Sequence, residues 1–455
     1  MPTPETLAED AAPRIVDPRF RLTVIGIVAV VTVVAIEAMA VTTVMPTVVR
    51  DLHGLRYYSW GFTAYLLADV VGMVDAGQRS DRHGPGPSLL GGMLLFAVGL
   101  IVAATATDIW VFLVGRVLQG LGGGALIVAL YVVIARALPQ ELHGRAFALT
   151  SAAWVVPSLV GPSLAGLVAS TVGWRWVFGG MAPIALAGAL ILVPCLRGLA
   201  SGATPDAVRA PVGRSWFAGV QLAVGLGCIQ EAAQLADWWS LALLAGGGAL
   251  CVWTLRRLMP LGALRLARGL PTVVALRGLL TCAFFGAEAY LPLTLTRLHG
   301  GTPRTVGIPL TIASLGWSAG SWWQGRRTSG RVGSMRIGFA LVAAGVGLLI
   351  LMARSWTSLW LAIPIWTVSG AGIGLVMPLL SVLLLELSPA EDHGANSAAL
   401  QLADMTGTVV GIAVIAALVD GLGLGHLARA VSVGDAILAG VAVVGIWASA
   451  RVVTR

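Results

Sequence analysis

Six carboxylates fall inside long apolar stretches of this chain: Glu37, Asp69, Asp75, Glu231, Glu288 and Asp404. Two arginines, Arg116 and Arg277, are embedded in the same way. A charge at the centre of a hydrocarbon-embedded helix costs about 2.5–3.5 kcal/mol or more, so each such group must pair, face water or take up a proton. The chemistry these residue types support is the binding of protons or cations. The six histidines (His53, His83, His143, His299, His393 and His426) are dispersed and lie mostly in loops, with no paired-His or Asp-rich metal pattern. No phosphate-cradling Gly-Lys loop occurs either, which argues against ATP as the energy source. A membrane-embedded prenyl or acyl transferase is therefore the weaker reading, and neither a metal nor another cofactor is expected.

Depth arithmetic sorts the embedded charges. Glu37 stands 16 residues beyond Arg21, about 24 Å along a helix, and Arg116 stands eight residues past Asp108, about 12 Å. Counted from opposite surfaces, the two reach similar depths and can pair, with Glu37 as a proton-titrating group and Arg116 as its counter-charge. Asp69 and Asp404 each lie ~16 Å from a run end, near the midplane. They are candidates for proton coupling or for a cationic substrate, with an Asp404–Arg277 ion pair as the structural alternative. Glu288 is deep in its run beside Tyr290 and Pro292. Asp75 is close to a run end, and Glu231 sits where interfacial hydration suffices.

The elements that must hold these groups are membrane helices. Hydrophobic residues make up 57 % of the chain and charged residues 11 %, against roughly 25 % charge in soluble domains. A bilayer core takes about 20 apolar residues per helix, and fourteen runs qualify: 22–48, 58–77, 87–105, 109–135, 145–170, 175–196, 215–235, 238–255, 271–295, 305–324, 337–353, 356–385, 394–419 and 432–450. All 29 basic residues are Arg. With the N-terminus inside, the inner segments hold 20 of them and the outer loops 7, which satisfies the positive-inside rule and places both termini in the cytoplasm. Because the arginines sit in short loops between spans, the net charge of +8 reads as orientation, and no nucleic-acid partner is expected. Twelve spans, without the seventh and eighth, is the alternative. Cys195, Cys228, Cys251 and Cys282 show no paired spacing. The polar first twenty residues read as a cytoplasmic tail rather than a signal peptide.

Several motifs stand on these runs. Gly77-x-x-x-Asp81-Arg82-x-Gly84 follows span 2, and a similar Gly-bounded, Arg-bearing turn, Gly325 to Gly333, follows span 10. Arg116-Val-Leu-Gln119-Gly120 lies in span 4, Gly161-Pro162-Ser-Leu-Ala-Gly166 in span 5, and Glu37 precedes Pro46 by nine residues in span 1. Phe285-Gly286-Ala-Glu288-Ala-Tyr290-Leu-Pro292 and Gly407-x-x-x-Gly411 mark the C-terminal half. Together these residues resemble the major facilitator superfamily, specifically its fourteen-spanner drug:proton antiporter branch. The chain departs from the pattern at Glu37, where Asp is usual, at Arg79, and at Pro85-Gly86-Pro87, which replaces a basic run.

The resemblance implies an all-α polytopic membrane protein with the major facilitator fold, two six-helix halves plus two inserted helices. The divisions are a tail (1–21), an N-terminal half (22–196), a linker (197–214), an accessory pair (215–257), a second linker (258–270) and a C-terminal half (271–455). It implies a proton-coupled exporter of amphipathic or cationic small molecules working by alternating access. An envelope-precursor or lipid carrier of the same fold is the alternative. Gly77, Asp81, Arg82, Gly84 and Asp75 would form a cytoplasmic latch between the halves, and Gly161, Pro162 and Gly166 the antiporter motif. Proton coupling would fall to Glu37, Asp69, Asp404, Glu288 and Arg116. Trp60, Tyr65, Gln119, Trp154, Tyr290 and Trp317 would line the substrate cavity, while Trp110, Trp174, Trp176, Trp238 and Trp239 would lie in the interfacial belt. The expected partners are the small-molecule substrate, protons and the lipid bilayer; the expected setting is the cytoplasmic membrane, and the expected state is a monomer.

Overall fold

Backbone amides in hydrocarbon must be satisfied within their own segment, and long apolar runs achieve this as α-helices. A computed structural model describes residues 17–199, 212–235, 238–326, 330–354, 356–389 and 393–452, and every regular element among them is helical. The first group comprises α1 (Pro18–Asp51), α2 (Trp60–His83), α3 (Pro85–Ala104), α4 (Ile109–Ala137), α5 (Gln140–Thr171), the short α6 (Arg175–Gly179) and α7 (Met181–Leu199). Next come α8 (Val212–Ala232) and α9 (Trp238–Leu258). The last group is α10 (Leu270–His299), α11 (Pro303–Gly325), α12 (Arg331–Leu348), α13 (Ala362–Leu387), α14 (His393–Leu422) and α15 (Leu427–Ala448). Most of the expected tail and residues 200–211 of the first expected linker lie outside the described residues.

Local chemistry sets the helix ends. Asp108 caps α4 by accepting from the Trp110 and Val111 amides at 2.9 and 3.1 Å, and Thr302 and Thr305 form a reciprocal capping box at the start of α11. The segment Gly77 to Gly84, expected as a Gly-bounded turn, is helical through His83. An Asp75–Arg79 pair one turn apart at 2.8 Å supports it. Only Gly84, at φ 78, makes the turn.

Ten helices among the described residues are long and apolar enough to cross a membrane. The expected count of fourteen exceeds that number. α2 carries Asp69, Asp75 and Arg79, and α11 is rich in Gly, Ser and Thr. α5 and α8 contribute only the shorter apolar stretches Val160–Thr171 and Phe217–Ala232. Exposed apolar side chains run in stripes at helical spacing, such as Leu90, Leu94, Val98 and Ile101 on α3. That is the face a helix turns to lipid rather than water.

One packing plan occurs twice. α1 packs on α5 and α7, α2 on α4, and α3 on α4 and α7. In the second group α10 packs on α14 and α15, α11 on α13, and α12 on α13 and α15. The groups meet mainly along α5–α11, while α2 and α14 touch sparsely and α8 packs against both of them. At the α5–α11 seam, Gly166 lies against the Pro303 carbonyl and Gly307 against the Pro162 carbonyl, where any side chain would collide with backbone. That closeness brings the Ser163 and Thr311 hydroxyls to 2.8 Å.

A cysteine pair at Ser163 and Thr311 is expected to cross-link readily under oxidation. Adding Gly307→Leu should abolish the cross-link on a denaturing gel and lower the melting temperature.

Candidate functional site

Arg116 on α4 is the centre of a buried knot. Its guanidinium donates to the Glu37 carboxylate on α1 and to the Gln119 side-chain oxygen, and its Nε donates to the Gly61 carbonyl on α2 at 2.9 Å. The same group lies over the Tyr65 ring, 4.6 Å from its centroid. The two charged side chains are 4 % and 1 % exposed. A guanidinium has five N–H donors and no acceptor, so a dry site must supply several oxygens, and three helices converge to do so. Their similar depths along α1 and α4 permit this pairing, and the geometry brings the two residues together. Glu37 Oε2 and Gln119 Nε2 are left without partners.

Asp69 lies one turn beyond Tyr65 on α2. It is buried and makes no hydrogen bond or ion pair with any described residue. Gly123 of α4 opens the niche: a side chain there would meet the Tyr65 hydroxyl, 2.5 Å from its first carbon, and the Asp69 carboxylate at 3.3 Å.

The second group repeats the recipe with other helices. Arg277 on α10 donates through Nε to Asp404 Oδ1 on α14 at 2.5 Å, and through Nη1 to the Met377 carbonyl at 2.9 Å and the Ser381 hydroxyl at 3.3 Å on α13. Asp404 is therefore held in the structural ion pair rather than standing free.

The residues expected to line one cavity occupy several places. Tyr65 and Gln119 border the Arg116 knot. Tyr290 is buried where the groups meet, its ring 5.2 Å from that of Tyr58, whose hydroxyl donates to the Ala289 carbonyl at 2.5 Å. Trp317 packs on Phe284 at 5.8 Å, and Trp366 stacks on the same ring at 4.7 Å. Glu288, partly buried, faces the Trp366 indole. Trp60 turns instead to α8, donating to Glu231 at 3.2 Å. Trp154 on α5 is 38 % exposed. Of the expected belt, Trp110, Trp176 and Trp239 are exposed. Trp174 is buried, packed edge-on to Phe112 and Phe178 and donating to Asp51 at 3.1 Å.

The antiporter-motif residues have a packing role. Gly161 admits Met39 of α1, and Pro162 and Gly166 supply the α5 side of the seam. Of the latch residues, Gly77 faces Val128 of α4, Asp75 bonds to Arg79 on its own helix, and Gly84 turns the chain. The side chains of Asp81 and Arg82 lie outside the described residues. Past α11, residues 327–329 lie outside the described residues, and Arg331 at the start of α12 pairs with Glu386 of α13.

Sequence reasoning missed Asp435. It lies on α15, 1 % exposed, with both carboxylate oxygens unpartnered. It borders a small space shared with Leu291 and Thr294 of α10 and with Leu349 and Met352. The available signal was a single acid inside the apolar run 432–450. No three His, Cys, Asp or Glu side chains gather to hold a metal among the described residues.

Apolar helices that qualify as membrane spans, packed twice on one plan around buried ion pairs, define a multi-pass helical membrane protein with a duplicated scaffold. The chain belongs to the Major Facilitator Superfamily, whose family model matches residues 27–402. It is similar to a probable multidrug-efflux transporter of Mycobacterium tuberculosis, 28 % identical over 425 residues and 87 % of each chain. It is also similar to multidrug resistance protein 3 of Bacillus subtilis, 24 % identical over 83 % of this chain and 75 % of that one. Among solved structures, the peptide transporter POT in complex with sulfate shares the fold, with a TM-score of 0.69, 12 % identity and 94 % of both chains covered. The human organic anion transporter MFSD10 does so with a TM-score of 0.64, 14 % identity, and 95 % of this chain and 99 % of that one covered.

Removing one member of a buried ion pair costs about 3–5 kcal/mol, because the other charge is left uncompensated. Arg116→Leu should therefore lower the melting temperature sharply, and Arg116→Leu with Glu37→Leu should recover most of the loss. Asp435 has no partner to lose, so Asp435→Leu is expected to leave the melting temperature unchanged or raise it.

Proposed function

We propose that this chain is a proton-coupled secondary exporter of amphipathic or cationic small molecules. The observation that carries the reading is Asp69, a buried carboxylate with no cation among the described residues, beside a Glu37–Arg116 pair that is already balanced. Such a group calls for a positive charge from outside the protein, and a proton and a cationic substrate are the two candidates. Their competition for one carboxylate is the simplest form of antiport: a proton entering from one side displaces the substrate, and the substrate entering from the other displaces the proton. The multidrug-efflux relatives support the substrate class. The proton gradient serves as the energy source, with no cofactor.

In this reading the chain crosses the cytoplasmic membrane fourteen times as a monomer with both termini inside. The helices α2, α5, α8 and α11 join the ten that qualify by composition. Residues 22–196 and 271–455 form the halves that rock about the central seam. Among the described residues, two hydrogen bonds between the groups, Tyr58 to Ala289 and Ser163 to Thr311, lie in the half of the bundle away from the chain termini. That placement fits a state closed to the outside. Glu288, partly buried near Tyr290, is a second coupling candidate, whereas Glu37 and Asp404 serve with their arginines.

The test is transport of a lipophilic cationic dye such as ethidium by proteoliposomes under an imposed pH gradient. The wild type should accumulate dye against its gradient, and Asp69→Asn should cut the gradient-driven rate by about tenfold or more, equivalent to 1.4 kcal/mol in the barrier. Asp404→Asn should instead lower thermal stability. Full gradient-driven transport by Asp69→Asn would sink the proposal.

A further inference from the structure

The connection between α9 and α10 is a shaped turn with an unusual surface. Gly262, Leu266 and Gly269 all take left-handed backbone angles, at φ 91, 53 and 82. For Leu266, which has a side chain to accommodate, this conformation persists only where the surroundings enforce it. The Arg265 and Ala267 amides both donate to the Gly262 carbonyl at 3.0 Å. Thr272 Oγ1 donates to the Ala267 carbonyl at 2.5 Å, and Arg451, just past α15, donates to the Leu266 carbonyl at 3.3 Å. The Gly269 amide in turn donates to the Arg451 carbonyl at 3.0 Å. The turn is thus fixed to the main helical body.

Between this turn and the end of α9 lies a cleft of about 440 Å³, lined by Leu255, Arg256, Met259, Leu261, Leu264 and Arg265 among others. Arg256, Arg265 and neighbouring Arg268 are exposed, and none meets a carboxylate among the described residues. Arg257 differs, lying over the Trp253 ring at 3.7 Å. Two leucines project beside the free arginines, Leu261 at 90 % and Leu264 at 46 % exposure. Leucines so exposed suit acyl chains, and arginines at the end of a membrane helix suit phosphate.

We propose that this cleft is a binding site for an anionic phospholipid headgroup from the adjoining leaflet. The phosphodiester is held by Arg256 and Arg265, and Leu261 and Leu264 enter the acyl layer. A soluble phosphate would satisfy the arginines but would leave the leucines in water, which is why the surface favours a lipid. The site is separate from the Asp69 niche and does not depend on proton coupling.

Native mass spectrometry of the full chain in detergent, titrated with phosphatidylglycerol or phosphatidylcholine, tests this. Phosphatidylglycerol should be retained preferentially, and Arg256→Gln with Arg265→Gln should reduce its bound fraction about tenfold at unchanged melting temperature. Arg268→Gln, outside the cleft lining, should change it little. Leu261→Gln should weaken the lipid adduct too, which a plain phosphate site would not do. Should the double variant fail to fold, Arg265→Gln alone reads the same loss. Equal retention of the two lipids, undiminished binding by the Arg256→Gln, Arg265→Gln variant, or displacement of the lipid by inorganic phosphate would each overturn the proposal.

Discussion

An arginine cannot give up its charge in hydrocarbon, and that constraint organises both helical groups. Arg116 and Arg277 each take one carboxylate, one backbone carbonyl and one polar side chain. The acceptors come from α1 and α2 around α4, and from α13 and α14 around α10. Each arginine therefore ties three helices together, and losing any acceptor would leave a donor unsatisfied where water is scarce. The dense glycine usage follows from the same need. At Gly407 and Gly411, α14 lies directly on the α10 backbone, which keeps Asp404 within reach of Arg277.

The two lateral seams are built differently. α5 and α11 meet through glycines and carbonyls, whereas α2 and α14 touch only sparsely, with α8 packed against both. α8 is bound to α2 by directional bonds: Thr63 donates to Gln230 at 3.1 Å, Gln230 donates to the Ser59 hydroxyl at 2.7 Å, and Gln234 meets the same hydroxyl. Toward α14 its contact is apolar, with Leu222 and Leu226 clustered with Val409. Hydrogen bonds fix a geometry and apolar contacts tolerate sliding. The accessory pair is thus hydrogen-bonded to the first group and packs on the second through apolar side chains.

Much of this was legible in the sequence because it depends on helical rise and local motifs. The Glu37–Arg116 pair followed from counting residues between embedded charges and the span ends, and each apolar run lies on a helix. What depends on which helices are neighbours was not legible. Trp60 and Trp174 were placed by type, and only packing shows one bonded to α8 and the other buried under Arg175. The segment after Gly77 reads as a turn because glycine permits one, but α2 continues to His83, with an exposed Asp75–Arg79 pair along it. The choice between a free Asp404 and one paired with Arg277 required the crossing of α10 and α14, and no spacing within either helix encodes it.

The embedded acids separate by what compensates them, and that partition bears on function more than their depth does. Glu37 and Asp404 hold arginines, and Glu231 is reached by an indole at the edge of the accessory pair. Among the described residues neither Asp69 nor Asp435 has any such partner, and their surroundings differ. Asp435 is enclosed by apolar side chains of its own helical group, with Thr294 the one polar neighbour in its small space. Asp69 shares its niche with the Tyr65 hydroxyl, on the helix that faces α14 and α8 across the looser seam. In the proposed cycle α2 moves against α14 and α8, at whose seam Asp69's helix lies, whereas the space around Asp435 is lined within one group. An unpartnered carboxylate is useful to a transport cycle only where its access to an external cation can alternate, and under the proposed function that role falls to Asp69, on the helix at the looser seam, rather than to Asp435.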